Sequence, residues 1–270
     1  MQPRIHFISG LPRSGSTLLA ALLWQNPRFH AGMSSALAGL FGSLLGEMSG
    51  RNEFAVFIKD AQRKRILRGL VEQFYADTSA RVVFDTNRSW CTRMPALAEL
   101  FPQAKVIACV RHVPWIVDSV ERLVQRNAFQ PSSIFNYTAG GTVYTRANGI
   151  AAADGLLGHA YDALKQAYYG EHTDRLLLVQ YETLTRDPLK ALDAVYAFVG
   201  EPPFAHDPTH VHYDAHDFDA RAGTPGLHLV HPKVEPRERT TILPPDLFRR
   251  FENDAFWRDP QLNPHGVRIV

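Results

Sequence analysis

The sequence predicts an α/β fold, with a parallel sheet of the P-loop type flanked by helices on both faces. Three observations lead to this prediction. Short apolar runs rich in β-branched residues have the length of buried strands, the runs alternate with helical patterns, and the first run ends in a glycine-rich turn. Strands of a parallel sheet are apolar throughout because helices cover both faces. We expect a single domain over residues 1–270, interrupted by irregular lid segments.

The predicted strands and helices alternate along the chain. The apolar runs predicted to be strands are residues 5–9, 81–85, 105–110 and 175–181. The segments predicted to be helices are residues 61–77, 94–101, 114–127 and 188–200. Two long segments do not fit this alternation, and we expect them to be lids that select the substrate. They are residues 128–155, rich in Gly, Asn, Thr and Ala, and residues 201–245, rich in His, Pro and Asp.

The composition is that of an ordinary globular protein, with 45% hydrophobic and 21% charged residues. A formal net charge of +2 gives no bulk electrostatic reason to expect a nucleic-acid partner. Cys91 and Cys109 lie in apolar surroundings and form no disulfide framework or paired-cysteine metal motif. We find no signal peptide and no apolar run long enough to span a bilayer, so we expect a cytoplasmic protein without a transmembrane segment.

The first predicted strand runs into a glycine-rich loop, residues 10–17, with the sequence GLPRSGST. The loop fits the phosphate-binding frame G-x-x-x-x-G-K-[ST], except that Ser16 stands where lysine is expected. Gly10 and Gly15 permit unusual backbone angles. Backbone amides at the start of the next helix can point at an anion, and Arg13 adds a charged, planar fork of donors. The residues expected to hold the anion are Arg13, Ser14, Gly15, Ser16, Thr17 and Leu18.

A second basic site follows the predicted strand at 105–110. Arg111 leaves the carboxyl end of this strand, and Ser119 lies about two turns into the next helix. Ligands of parallel sheets gather at the carboxyl ends of the strands, so we expect a second phosphate here. The absent lysine argues against hydrolysis of ATP or GTP, which also needs a magnesium carboxylate. Two separate phosphate sites fit 3′-phosphoadenosine 5′-phosphosulfate (PAPS), the donor for sulfuryl transfer.

Four stretches of the chain resemble motifs of the sulfotransferase superfamily. GLPRSGSTLL resembles the 5′-phosphosulfate loop, in the arginine form of tyrosylprotein-type and many bacterial members. LFPQAKVIACVRHVPWIVDSVERL resembles the 3′-phosphate segment, with Arg111 and Ser119 on its marked positions. RLLLVQYETLTRDPLKALDAVYAFVGEP resembles a later strand–helix unit, and HLVHPKVE a segment that folds over the donor. The resemblance implies that Tyr181 lies near the nucleotide and Lys233 near a phosphate, with 3′-phosphoadenosine 5′-phosphate (PAP) as product and no metal requirement.

The chain departs from the family pattern at three places. Tyrosylprotein-type enzymes carry a glutamate base after the loop, but FHAGMSSALAGLF contains no acid. The family's middle lysine is replaced in DTNRSW, where Arg88 is the candidate substitute. The third basic position is met only approximately by Arg122, because Leu123 occupies the strict position.

The implied chemistry is an in-line transfer that depends on positioning and charge stabilisation, by analogy with phosphoryl transfer. We expect Arg13 to stabilise the bridging oxygen and the leaving phosphate, and Arg88 to contact the sulfuryl oxygens. The acceptor, a hydroxyl or amine on a small molecule, peptide or glycan, also needs a base. Asp85, at the carboxyl end of its predicted strand, is the first candidate for this base, and His30 is the second.

Other functions remain open at this point. A P-loop kinase of a small metabolite is the first alternative, and a catalytically silent nucleotide-binding module is the second. A metallohydrolase comes last, because the histidine-rich segment lacks an H-E-x-x-H pattern and its prolines favour a polar loop. The residues that raise the metal hypothesis are His206, His210, His212, His216, Asp207, Asp214, Asp217 and Asp219.

Overall fold

The computed structural model describes residues 2–130 and 141–270 and contains a six-stranded sheet in the order β2-β3-β1-β4-β5-β6. Each neighbouring pair of strands is parallel. The α/β prediction with a parallel sheet is therefore confirmed. The strands are β1 Arg4–Gly10, β2 Phe29–Ala31, β3 Val82–Thr86, β4 Val106–Val110, β5 Leu176–Gln180 and β6 Arg268–Ile269.

Helices cover both faces of the sheet, as predicted. Successive residues of β1 face the two sides of the sheet: Phe7 packs in one apolar cluster and Ile8 in the other. The Phe7 cluster contains helical side chains such as Leu37, Ile116 and Leu164, whereas the Ile8 cluster contains Leu19, Leu184 and Leu192. The helices are α1 Ser16–Leu23, α2 Leu37–Glu47, α3 Asp60–Phe74, α4 Met94–Leu100, α5 Val113–Arg126, α6 Val143–Ala151, α7 Gly158–Tyr168, α8 Tyr181–Arg186, α9 Pro188–Val199, α10 His216–Arg221 and α11 Pro245–Arg250.

Local sequence signals explain where helix α9 begins and ends. The Asp187 side chain accepts a hydrogen bond from the Lys190 amide, and Pro188 occupies the first helical position. Gly200, with a φ of 71°, ends the helix in the left-handed region. The predicted helix at residues 188–200 therefore agrees with the structure to within one residue.

The structure agrees with the prediction of an irregular lid for the second of the two segments but not for the whole of the first. Residues 131–140 of the first segment lie outside the described residues, and residues 143–151 form helix α6 rather than irregular chain. That part of the prediction was wrong because Thr142 caps the helix, accepting from the Thr145 amide, and Ile150 packs into the core. The second segment, residues 201–245, is irregular apart from the short helix α10. We call residues 201–245 the second lid.

No helix in the described ranges, 2–130 and 141–270, is both long and apolar enough to cross a membrane.

Candidate functional site

The glycine loop leaves strand β1 through residues with left-handed backbone angles. Gly10, Arg13 and Gly15 have φ values of 101°, 57° and 92°. A Cβ atom on Gly10 would lie 2.2 Å from the carbonyl oxygen of Cys109 on neighbouring β4, so only glycine fits there. Gly15 directly precedes α1. The loop therefore leads into the amino terminus of α1, where unpaired N–H groups favour an anion.

Arg13 connects the loop to helix α5 and to the second lid. Its Nε donates a hydrogen bond to Ser119 Oγ at 3.1 Å, and its guanidinium also donates to the carbonyl oxygen of Leu227. Burial, together with the nearby charge of Arg111, lowers the pKa of Arg13 to about 10. The side chain therefore remains cationic at neutral pH although it is largely removed from water.

Arg111 and Tyr181 lie at the ends of two neighbouring strands. Arg111 directly follows β4, and Tyr181 follows β5 as the first residue of α8. The Arg111 guanidinium is 4.1 Å from the centroid of the Tyr181 ring, and its Nη1 donates to the Arg13 carbonyl oxygen at 3.1 Å. Burial lowers the pKa of Arg111. Arg13 and Arg111, which were expected from separate stretches of sequence to bind two phosphates, are thus in direct contact.

Arg88 is a third arginine near Arg13 and Arg111, and it follows strand β3 on the other side of β1. It begins the 3₁₀ turn Arg88–Arg93, and its carbonyl oxygen accepts from Ser9 Oγ of β1 at 2.9 Å. Burial lowers the pKa of Arg88. Within the described ranges, none of the three arginines Arg13, Arg88 and Arg111 has a carboxylate within ion-pair distance. Because a largely buried cation without a partner is costly, this arrangement indicates an anionic ligand.

A cavity of about 280 Å³ lies at this carboxyl edge of the sheet, between the glycine loop and the second lid. Ser14 and Ser119 do not line it. Ser14 is fully buried and its hydroxyl donates to the Pro12 carbonyl oxygen at 3.3 Å, whereas Ser119 contacts the lining residue Arg13. The other residues predicted to bind the donor do line it, together with Arg88. They are Arg13, Gly15, Ser16, Thr17, Leu18, Arg111, Tyr181 and Lys233.

The two candidates for the general base lie outside this cavity. Asp85 is 1% exposed, and its carboxylate accepts hydrogen bonds from Ser35 Oγ at 2.6 Å, Trp90 Nε1 at 2.6 Å and the Tyr75 hydroxyl. This carboxylate holds three chain segments together, which corrects its predicted role as a base. His30 is exposed on edge strand β2, against the Tyr75 ring, and is likewise not positioned to act as the base.

Asp118, which sequence reasoning missed, anchors the second lid to helix α5. It is fully buried, and it accepts hydrogen bonds from Thr241 Oγ1 at 3.0 Å and the Ile242 amide at 2.8 Å. It also forms ion pairs with Arg122 at 2.9 Å and Arg239 at 3.0 Å. Arg122, the approximate match to a third basic position, is therefore paired within the protein. In the sequence Asp118 is indistinguishable from an ordinary charged residue on a helix.

Two histidines of the second lid bond to neighbouring side chains. His206 bonds to the Tyr196 hydroxyl at 2.9 Å and His210 to Asp207 at 2.8 Å. In the chain outside residues 131–140 and the first residue, no three histidine, cysteine or acidic side chains converge as a metal site. His228, which lines the cavity, bonds to Asp219 at 2.6 Å.

Comparison with known proteins shows which family the chain resembles. A model described as the sulfotransferase family matches residues 6–206. The sulfotransferase domain of the olefin synthase from Synechococcus PCC 7002 is 20% identical, with 93% of this chain and 95% of that chain covered and a TM-score of 0.56. The sulfotransferase domain from the curacin biosynthetic pathway is 18% identical, with 76% of each chain covered and a TM-score of 0.52. At such identities the structural likeness concerns the fold. No curated protein matches the chain.

Proposed function

Because the chain belongs to the sulfotransferase family, we propose that it transfers a sulfuryl group from PAPS to a hydroxyl or amine acceptor on a small molecule, a peptide or a glycan. The observation that carries the choice of donor is the group of three arginines without carboxylate partners at one cavity. Arg13, Arg88 and Arg111 follow the ends of β1, β3 and β4, which are adjacent in the sheet. A donor with two anionic ends would satisfy cations spread over this width.

The residues at the cavity fit the two anionic ends of PAPS. The glycine loop and the start of α1 offer N–H groups and the hydroxyls of Ser16 and Thr17 to the 5′-phosphosulfate. Arg111 offers its planar guanidinium to the 3′-phosphate. Arg13 links it to Ser119, because Arg111 donates to the Arg13 carbonyl oxygen and the Arg13 side chain donates to Ser119 Oγ. Lys233, which is mostly exposed and paired with Glu235 at 3.3 Å, adds a positive charge from the lid.

Arg13 is the residue we assign to the chemical step. Its pKa of about 10 keeps it charged at neutral pH, and its fork of donors can meet charge that develops on the bridging oxygen and the leaving phosphate. Arg88 approaches from β3 and is assigned to the sulfuryl oxygens. Removing one preorganised donor of this kind costs about 10²–10³ in rate. Ser16 stands where a triphosphate-binding loop has lysine, which suits a donor without a γ-phosphate.

Thermal stabilisation by PAP in the presence of EDTA tests the proposal. A ligand at 100 times its dissociation constant stabilises the folded state by about 2.7 kcal/mol, so a clear rise in Tm is expected. Arg111→Ala should lose most of this rise. Arg68→Ala is the matched control, since Arg68 pairs with Glu72 on α3 and does not line the cavity.

The alternatives predict different outcomes. A metabolite kinase would be stabilised by ATP with magnesium and not by PAP. A silent binding module would be stabilised by PAP but would release no PAP from PAPS above the rate in buffer. Release of PAP by the wild type, measured in EDTA, would separate transfer from binding alone.

A further inference from the structure

His228 and Asp219 form a hydrogen-bonded pair at the cavity. His228 belongs to the cavity lining. Its Nδ1 is 2.6 Å from one carboxylate oxygen of Asp219, and its backbone amide donates to the other at 2.8 Å. Asp219 is buried, with 3% exposure, and the His228 side chain retains 14%. One carboxylate therefore holds both the ring and the main chain of the same histidine, which leaves the ring little freedom to rotate.

This arrangement defines the protonation of the neutral ring. A carboxylate only accepts hydrogen bonds, so Nδ1 carries the hydrogen and Nε2 keeps a lone pair. Within residues 2–130 and 141–270, the hydrogen bonds of His228 are made by Nδ1 and the backbone amide, and none is made by Nε2. The ring also packs edge-on against Phe218, with 5.5 Å between centroids. The result is an oriented imidazole with a free basic nitrogen in the lining of the cavity.

The pair is tied to the arginine assigned to the chemical step. The residue before His228 is Leu227, whose carbonyl oxygen accepts from the Arg13 guanidinium. The lid chain between Asp219 and His228 is itself compact, because the Thr224 amide bonds to the Asp219 carbonyl at 2.9 Å and the Leu227 amide to the Thr224 carbonyl at 3.1 Å. The residue that carries the basic nitrogen therefore directly follows the residue that contacts Arg13.

We propose that His228 is the general base of the reaction and that Asp219 is its positioning residue. The inference rests on the proposed function. The acceptor oxygen attacks the sulfur, and its hydroxyl proton moves to Nε2 of His228. The bond from sulfur to the bridging oxygen breaks, and its electron pair stays on the 5′-phosphate of PAP. Asp219 stabilises the imidazolium that forms, and the proton then passes to water.

The proposal also concerns the chemical class of the acceptor. An oriented imidazole that accepts a proton assists a neutral hydroxyl whose proton must leave during transfer, such as an alcohol or a phenol. Because the base lies on the second lid and Arg13 on the glycine loop, the contact of Arg13 with Leu227 brings both groups to the same cavity. A lid held away from the loop would leave the donor without a base.

The test compares His228→Gln and Asp219→Asn with the wild type in the full chain. PAPS with water as acceptor is the probe, PAP release is the readout, and PAP-induced thermal stabilisation is measured in parallel. His228→Gln should keep the stabilisation and lose about 10²–10⁴ in PAP release. The wild-type rate should rise with pH as a single group loses its proton, and His228→Gln should lack this rise. Asp219→Asn should show a smaller loss and a displaced midpoint.

His210→Gln is the matched control, since His210 is also paired with an aspartate on the second lid but is exposed and does not line the cavity. Undiminished PAP release by His228→Gln would overturn the assignment. So would loss of PAP stabilisation in His228→Gln, because the residue would then act in donor binding. If the wild type releases PAP from PAPS and His228→Gln does so at the same rate, this inference fails alone. If the wild type binds PAP but releases none from PAPS, the chain is a silent binding module and the proposed transfer fails as well. If the wild type does not bind PAP, the proposed function itself fails.

Discussion

Replacing Arg111 by alanine should weaken PAP binding by a calculable amount. The guanidinium lies over Tyr181 at 4.1 Å and donates to the Arg13 carbonyl oxygen at 3.1 Å, so it is already oriented before a ligand arrives. A hydrogen bond to a charged group is worth about 1.5–3 kcal/mol. At about 1.4 kcal/mol for each factor of ten, loss of one such bond raises the dissociation constant about 10- to 150-fold.

Calorimetric titration of PAP in EDTA measures this change directly. Arg111→Lys keeps the charge but loses the planar fork, so its dissociation constant should fall between those of the wild type and Arg111→Ala. Arg111→Ala also removes the contact with Tyr181, which lowers the stability of the free protein. The Tm of the unliganded variant is therefore measured as well, to show that the protein used in the titration is folded. A dissociation constant equal to that of the wild type, in a folded Arg111→Ala protein, would refute the placement of Arg111 at a phosphate.

Three further predictions follow from the same structure. Arg13→Ala should lower kcat for sulfuryl transfer by about 10²–10³, measured as PAP release from PAPS, with a smaller effect on PAP affinity. Asp85→Asn should lower the free energy of unfolding in urea by about 1–3 kcal/mol, because the amide NH₂ group would face side chains that donate hydrogen bonds to the carboxylate. Unchanged stability with lost turnover would instead restore Asp85 as a base. Burial lowers the pKa of His6 from 6.5 to about 4, so the folded protein binds fewer protons than the unfolded chain between these values. Stability should therefore fall as pH drops from 6.5 toward 4, and His6→Gln should flatten this part of a urea-unfolding series.

The central part of the fold follows from local sequence signals. The strands β1, β3, β4 and β5 are mainly apolar runs, a pattern that predicts strands buried on both faces of a sheet. The edge strands β2 and β6 contain three and two residues, too few to show any periodicity. They exist because Phe29–Ala31 and Arg268–Ile269 pair with longer neighbours, which is tertiary information.

Some residues of the site could likewise be predicted from the sequence, and others could not. The loop around Arg13 and the position of Arg111 could be predicted, because each directly follows an apolar strand. The environment of Asp85 could not, since its hydrogen-bond donors Ser35, Tyr75 and Trp90 come from three segments that only the tertiary fold brings together. His228 and Asp219 are nine residues apart in irregular chain, where no period relates one position to the other. Strand ends are therefore predictable site positions, and lid contacts are not.

The contacts that join Arg13 to its surroundings have a consequence for natural variation. The lid contributes a main-chain oxygen at Leu227, and Arg13 contributes its own main-chain oxygen to Arg111. A backbone oxygen is present whatever side chain the residue carries. A substitution at position 227 therefore leaves the partner of the guanidinium in place, although it changes the apolar packing of the Leu227 side chain. A deletion or an inserted residue between 219 and 228 would change the path of the chain and remove this acceptor, so the hydrogen bond constrains the length of the stretch rather than the side chain at position 227.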